Sequence, residues 1–474
     1  MEQINKVSII MVTYNQLDYT KVCVQSIREN VAAGTYEMIV VDNQSEDGTR
    51  AWLKEQPDMK CVFNEENRGF PTACNQGAAI AEAGNDILLL NNDTIVCKNS
   101  IYNMQRALTE EKTGAVGACS NSVGARQRID ESFQTIEEYI QYAEQNNVYD
   151  PFRHQKRLRL IGFALLIKRD LWDDIGGLDE IYGLGNFEDD DICLNILKRG
   201  YHLCFCPDAF IFHFGGTSFK LYNEKNGSYA YDDLLLHNRD IFEEKWGIRW
   251  GYFSHPRNEI VELIKRHPKV RFRVLDIGCG LGGTLQEIGN RYPRAGLYGA
   301  EINQAVVDIA SHYLNVCCAD IEQDEIPFET KFDYIILADI LEHTKEPEKV
   351  LLKLKKYLTS SGAFIISLPN IMHISIMYQL LHGRFRYTDE GILDRTHLRF
   401  FALTDMLCML EKCGLRVERV MNTTVTLSAE QEQYLDLLCQ MDPAINREEM
   451  LAYQYQFVCR NVSDALDEAV SKER

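Results

Sequence analysis

The strongest constraint on this chain is a pattern that occurs twice: short apolar runs rich in β-branched residues, each breaking into polar residues or glycines and separated by helical-period segments. "KVSIIMVTY", "YEMIVVDN" and "DILLLNND" form one series; "FRVLDIGCG", "AGLYGAEI", "FDYIILAD" and "GAFIISLP" form the other. They lack strict alternation, which suits strands buried on both faces of a mostly parallel sheet. Both halves are therefore expected to be α/β, and 474 residues are too many for one ordinary core.

The segment "KWGIRWGYFSHPRNEIVELIKRHPKV", residues 245 to 270, carries Gly, Pro and a basic helical stretch but no strand pattern. It predicts a first domain over 1–252, a second over 253–463 led in by that helix, and a polar tail over 464–474. Beyond Leu415 the pattern predicts a strand in "RVERVMN", an acidic helical segment from Ser428 to Leu451 and a final strand "YQYQFVCRNV". A formal charge of -20 disfavours long-range attraction to nucleic acid. The 15 cysteines form no C-x-x-C pair, and several sit inside apolar runs, which reads as reduced, buried thiols in a cytoplasmic protein. The start lacks a basic n-region, and no apolar run reaches the roughly 18 residues that span a bilayer, so a soluble protein is expected.

In α/β sheets of this kind ligands gather at the carboxyl ends of the strands. Those ends are polar here: Thr13 and Asn15 after the first run, Asp42, Asn43, Ser45 and Asp47 after the second, Asn91, Asn92 and Asp93 after the third. This half has no G-x-G-x-x-G or Walker loop for a dehydrogenase or kinase. Nor does "VTYNQLDYT" offer the Gly-rich basic loop that a nucleotidyltransferase needs for a triphosphate. Read alone, Asp42-Asn43 also fits a turn, "EDDD" a solvated helix start, and His213 a core histidine. In company they are more specific. "VSIIMVTYN", "VVDNQSEDGT", "NRGFPTACNQG", "LLLNND", "GGLDEIYGLGNFEDDDICLNILKRGY" and "PDAFIFHFGGTS" follow in order, and this half resembles a family-2 glycosyltransferase of the GT-A fold.

The resemblance implies an inverting, single-displacement transfer from a nucleotide-sugar donor to a glycan or lipid-linked glycan acceptor. It implies that Asp42 contacts the base, that Thr13, Asn15 and Asn43 line the same pocket, and that Asn67, Gly69 and Asn75 approach the donor from the side. Asp189 corresponds to the family's catalytic base, with Glu188 and Asp191 orienting it or binding acceptor. Asn91 stands where the family usually carries the first acid of a D-x-D metal motif, leaving Asp93 and His213 as ligands of Mn or Mg. Four successive acids at 188 to 191 repel one another, which should raise at least one pKa. The basic stretch Arg153 to Leu160 is either a solvated face or a contact for a phosphate-bearing or lipid-linked acceptor, which would allow peripheral membrane contact.

In the second half, "VLDIGCGLGGT" breaks from a strand into glycines at 278, 280, 282 and 283, as a backbone that approaches a ligand closely must. Glu301 ends the next strand, where an acid can pair with ribose hydroxyls. With "CCADIEQ", "FDYIILADILEHT", "GAFIISLPN" and "ILDRTHLRFF", this half resembles the class I S-adenosylmethionine-dependent methyltransferases, whose fold is Rossmann-like. The resemblance implies that Asp276, Gly278, Gly280 and Gly282 hold the methionine end of S-adenosylmethionine, that Glu301 binds the ribose, and that Asp320 and Ile321 flank the adenine. Asp339 would face the reacting centre. His343 and His397 are either candidate bases for a hydroxyl acceptor or structural residues. Segment 370 to 400 reads as a cap over the acceptor or as domain core.

The expectation is thus a two-domain enzyme of polysaccharide biosynthesis that transfers a sugar and a methyl group to the same growing glycan. The rival is a glycosyltransferase whose C-terminal domain only binds cofactor or acts as a scaffold.

Overall fold

The computed structural model describes residues 4–215 and 230–462; the polar tail expected at 464–474 and the last three residues of "PDAFIFHFGGTS" lie outside them. The chain forms two compact units, Met1–Ser254 and His255–Arg474. Each is built on its own α/β sheet.

In the first unit β1 (Val7–Thr13), β2 (Tyr36–Asp42), β3 (Met59–Phe63) and β4 (Asp86–Asn91) lie parallel in the order β3-β2-β1-β4. Thr13 pairs with Asp42, and Val12 with Asn91, so the polar ends of the three apolar runs share one edge. The chain then adds β5 (Thr94–Val96), β6 (Thr113–Cys119), β7 (Gln155–Arg157), β8 (Ala164–Ile167) and β9 (His202–His213). They extend the sheet as β4-β8-β6-β9-β5, with β7 beside β9. β8 is antiparallel to both neighbours, so the sheet is mixed. β6, "TGAVGAC", is hard to foresee because its two glycines are poor strand formers. Packing requires them: a Cβ on Gly114 would lie 2.6 Å from Ile196 Cγ2, and one on Gly117 2.7 Å from Gln127 Nε2.

The second sheet runs β12 (Asn315–Cys318), β11 (Gly296–Glu301), β10 (Arg273–Ile277), β13 (Phe332–Ala338), β14 (Leu358–Pro369), β16 (Ala452–Asn461), β15 (Leu415–Thr424). β16 is antiparallel to both its neighbours; the other pairings are parallel. Apolar clusters cover both faces, one around Phe332, Phe364 and Phe457, the other around Phe272, Tyr292 and Ile336. The acidic segment after Ser428 is two helices rather than one, Ala429–Met441 and Arg447–Leu451. Asp442 precedes Pro443, which disfavours helical backbone at that point. Ser428 and Gln431 close the first of these helices with a capping box. All 15 cysteines are unpaired, and among the described residues no helix is long and apolar enough to cross a membrane.

A buried histidine between two carboxylates ties the strap before β7 to β9. His154 Nδ1 lies 2.7 Å from Glu110 Oε1 and its Nε2 lies 3.0 Å from Asp208 Oδ1, a carboxylate with no exposed surface. Burial works against the imidazolium, but the hydrogen bonds to Asp208 and Glu110 outweigh it and raise the His154 pKa from 6.5 to about 9. A raised folded-state pKa stabilises the fold fully below the unfolded value and loses that effect as pH rises through the folded one. Chemical denaturation should therefore show wild-type stability falling between about pH 6 and about pH 10, with a smaller fall in His154→Asn. Equal falls would remove His154 as the cause.

Candidate functional site

The shared edge of β1, β2 and β4 builds the first site. Asp42, fully buried, accepts from Thr13 Oγ1 at 3.2 Å and from the Ser45 amide at 3.1 Å, and Arg50 Nε lies 3.3 Å away. Asn15, at φ 59°, donates its amide to Ser45 Oγ at 2.7 Å and accepts from the Glu46 amide at 2.8 Å. Asn43 Nδ2 donates to the Gly69 carbonyl at 3.1 Å, and Asn67 Oδ1 accepts from the Gly69 amide at 3.0 Å. Gly69 has φ +81°, and a Cβ there would lie 2.0 Å from the Gly183 carbonyl oxygen, so only glycine lets the "NRGF" loop close on the segment before "EDDD". Asn75 is spent on that segment too, bonding both Leu178 backbone groups at 2.8 and 2.9 Å.

The "NNDT" stretch is a turn. β4 stops at Asn91, whose carbonyl accepts from Thr94 Oγ1 at 2.8 Å, and β5 starts at Thr94. β5 pairs Thr94 with His213 of β9, which sets the imidazole beside Asp93. His213 Nδ1 lies 2.8 Å from the Ser122 carbonyl and its Nε2 lies 3.2 Å from Asp93 Oδ1. Burial opposes the charged ring, but the Asp93 hydrogen bond prevails and raises its pKa. An Nδ1 proton on the carbonyl leaves Nε2 as a ligand atom. Two adjacent ligands on an octahedral ion with bonds near 2.1 Å stand about 3 Å apart, so this pair fits a divalent cation. Asn91 Nδ2 is 3.4 Å from His213 Nε2.

Helix Glu188–Lys198 presents the acids, and they separate by environment. Asp189 is the half-buried one of the four, with Oδ2 accepting from the Gly162 amide at 3.0 Å and Oδ1 from the Asp190 amide at 2.9 Å. Asp190 is buried with Arg159 Nε at 2.9 Å. Burial, ahead of the neighbouring charges, pushes Asp190 up to about 7 and Glu188 well above its ordinary value. The acids do perturb one another, but desolvation is the larger cause. Asp191 takes Tyr182 Oη at 3.1 Å, Trp246 Nε1 at 2.9 Å, Lys245 Nζ at 2.6 Å and Asn195 Nδ2 at 3.1 Å. The backbone links base and cation candidates: Gly162 holds Asp189, the Phe163 carbonyl accepts from the Asn91 amide at 2.8 Å, and the Phe163 ring stacks on His213 at 5.2 Å. The basic stretch turns partly inward, Arg153 bonding Asn146 Oδ1 at 2.7 Å and Arg157 lying over Phe205 at 5.3 Å.

In the second unit the Glu301 carboxylate accepts from three backbone amides, Gly280 at 3.0 Å, Ile302 at 2.8 Å and Asn303 at 3.0 Å. Asp276 is buried at the end of β10, and burial, then Glu301, pushes it up to about 7 against the pull of Arg257. Gly278 has φ +69°, and a Cβ there would lie 2.3 Å from Ile340 Cδ1, so the glycine loop packs on the segment after β13. Gly282 directly precedes helix Gly283–Arg291. Asp320 accepts from the Glu322 amide at 2.9 Å and Gln323 Nε2 at 2.8 Å, while Ile321 packs against the core. Asp339, at φ 57°, accepts from Ser367 Oγ at 2.8 Å, from Gln454 Nε2 and from Arg257 Nη1. The rings of His343 and His397 lie 4.7 Å apart. Helix Ile374–Leu381, within the segment expected as cap or core, packs Ile374 with Leu435 and Met450 in a small satellite cluster.

Residues 8–173 match the family described as Glycosyl transferase family 2, and residues 234–420 match a family described as Methyltransferase domain. The chain carries a family 2 glycosyltransferase domain and a methyltransferase domain. The glycosyltransferase match stops short of helix Glu188–Lys198 and His213, which rest on geometry, and the methyltransferase match starts inside the first unit. An uncharacterized Sinorhizobium fredii protein is 29% identical over 46% of this chain and 25% of its own length. An uncharacterized Mycobacterium tuberculosis protein is 31% identical over 32% of this chain and 55% of its own. The chain thus spans between a quarter and about half of these curated relatives. A mannosyltransferase from Pyrobaculum calidifontis, solved with GDP-Man and Mn2+, aligns at 19% identity and a TM-score of 0.36, covering 47% of this chain and 61% of that one.

Sequence reading missed Arg50, Phe163, Ser122, Arg257 and Gln454, because each meets its site through a fold contact and none belongs to a motif. The helix contacts separate two acids that look equivalent in sequence. Asp191→Ala strands Trp246 and Tyr182, leaves Lys245 with Asp179 alone, and should destabilise the first unit by about 2–4 kcal/mol in guanidinium denaturation. Asp189→Asn, whose partners are two backbone amides, should cost clearly less. Equal losses would contradict the assignment of Asp191 as the anchor.

Proposed function

We propose that the chain transfers a sugar from a nucleotide-sugar donor to a glycan acceptor with inversion, and a methyl group from S-adenosylmethionine to a sugar or related small acceptor. The observation that supports the sugar half is the Gly162-Phe163 turn, which holds Asp189 at one residue and stacks on His213 at the next. Asp42, Thr13, Asn15, Asn43, Asn67 and Gly69 shape the pocket for the nucleotide. Asp189 takes the proton of the acceptor hydroxyl, and burial raises the pKa of Glu188 beside it. Asp93 and His213 would hold a divalent cation, Mn or Mg, which supplies positive charge for the departing diphosphate. Asn91 contributes at most a neutral oxygen, so cation binding without donor is expected to be weak.

In the second unit, three amide donors leave the Glu301 carboxylate turned to accept ribose hydroxyls beside the glycine loop. Asp276, Gly278, Gly280 and Gly282 shape the site for the methionine end, and Asp320 and Ile321 lie on the loop assigned to the adenine. A bound S-adenosylmethionine brings an already activated methyl, so the chain's work is positioning. Asp339 is itself oriented by Arg257, Gln454 and Ser367. A cytoplasmic setting, with contact at the inner membrane face if the acceptor is lipid-linked, is part of the proposal.

A screen of nucleotide sugars for transfer and slow hydrolysis, with Mn or Mg and labelled S-adenosylmethionine, tests both halves. Asp189→Asn should lower sugar transfer by about 10²-fold or more while methyl transfer continues; loss of both would contradict separate sites. Glu301→Ala should weaken S-adenosylmethionine binding by about 1–3 kcal/mol in calorimetry. Cofactor binding without turnover on any glycan acceptor would favour a scaffold.

A further inference from the structure

Next to Ile340, which packs on the glycine loop, lies a buried carboxylate with no hydrogen-bond partner. Glu342, in the 3-10 turn Leu341–His343 after β13, has no exposed surface, and neither of its carboxylate oxygens has a hydrogen-bond partner. A buried carboxylate is costly unless donors or a cation meet it. One of its oxygens and one ring nitrogen each of His343 and His397 lie within 4.8 Å of one another. Both imidazoles are oriented from behind: His397 Nδ1 is 2.9 Å from the Ile392 carbonyl, and His343 Nδ1 is 3.3 Å from the Thr396 carbonyl. With Nδ1 protonated toward a carbonyl, Nε2 is the ligand atom, which is how protein metal sites usually set a histidine. The Glu342 carbonyl clasps the other strap, accepting from the Leu398 and Arg399 amides at 2.8 and 3.1 Å. The three side chains are thus positioned by backbone on both segments.

We infer that Glu342, His343 and His397 form a divalent transition-metal site in the methyltransferase unit, separate from the Asp93–His213 pair of the first unit. Two imidazoles and one carboxylate suit ions from Mn2+ to Zn2+ better than Mg2+ or Ca2+, which prefer oxygen ligands alone. Three protein donors leave one or more coordination positions open. The neighbouring Ile340 packs on Gly278 of the glycine loop, so an ion here sits on the segment that borders the methyl donor of the proposed reaction. Its open positions are suited to acceptor oxygens; that role alone rests on the methyl-transfer reading.

The test uses the full chain carrying His213→Ala, which silences the first cation pair. Titration with Co2+ and Zn2+, followed by visible absorption and calorimetry, should show one bound ion per chain. Glu342→Gln and His397→Asn should each weaken it by about 10-fold or more, while S-adenosylmethionine affinity, read in the same samples, reports that the unit is folded. No ion bound by the His213→Ala chain, or equal affinity in folded Glu342→Gln, would overturn the site. Metal binding that depends on Glu342 but never affects methyl transfer would uphold the site and remove only its role toward the acceptor.

Discussion

A carboxylate taken out of water must meet donors or a cation, or else it keeps a proton, and both candidate sites of this protein are arranged around that constraint. Asp208 meets His154 and the Asp150 amide and is held below its ordinary pKa although burial opposes this. Glu188, Asp190, Asp276 and Glu342 are less well met, and burial raises each of them.

The same constraint sorts neighbours in sequence into different roles. Helix Glu188–Lys198 begins with four consecutive acids, yet each turns to its own surroundings. Asp191 faces Lys245, Trp246 and Tyr182, Asp190 faces Arg159, and Glu188 is buried behind the loop of Gly185. Asp189 meets only backbone amides, which orient a carboxylate without neutralising it. In the second unit Glu301 is held in the same manner, by three amides. Amide donors fix direction, and the remaining lone pairs stay available to a ligand.

The α/β class, the parallel cores and the polar ends of β1, β2, β4, β10 and β11 follow from the sequence, because an unalternating β-branched run that stops at Asp, Asn or Gly carries its instruction locally. The glycines at 69 and 278 are legible too, though the sequence does not say what they avoid. In the structure these are the Gly183 carbonyl and Ile340. β6, with its two glycines, and the break at Pro443 show where local propensity misleads or where one residue outweighs a run.

Only the tertiary structure decided how the acids divide their work and which cations they meet. Asp93 meets His213 because β5 pairs with β9, 120 residues away along the chain. Arg257 reaches Asp339 and Gln454 across 82 and 197 residues. Glu342 and His397 come together only because the turn after β13 and the strap at 392–400 hydrogen-bond to each other. The sequence by itself determined the two sheets and the residue types at their edges, since strand and turn chemistry act over a few residues. Which carboxylate is anchored, which is held by amides alone and which is buried unmet depends on desolvation and long-range pairing, and those exist only once the chain is folded.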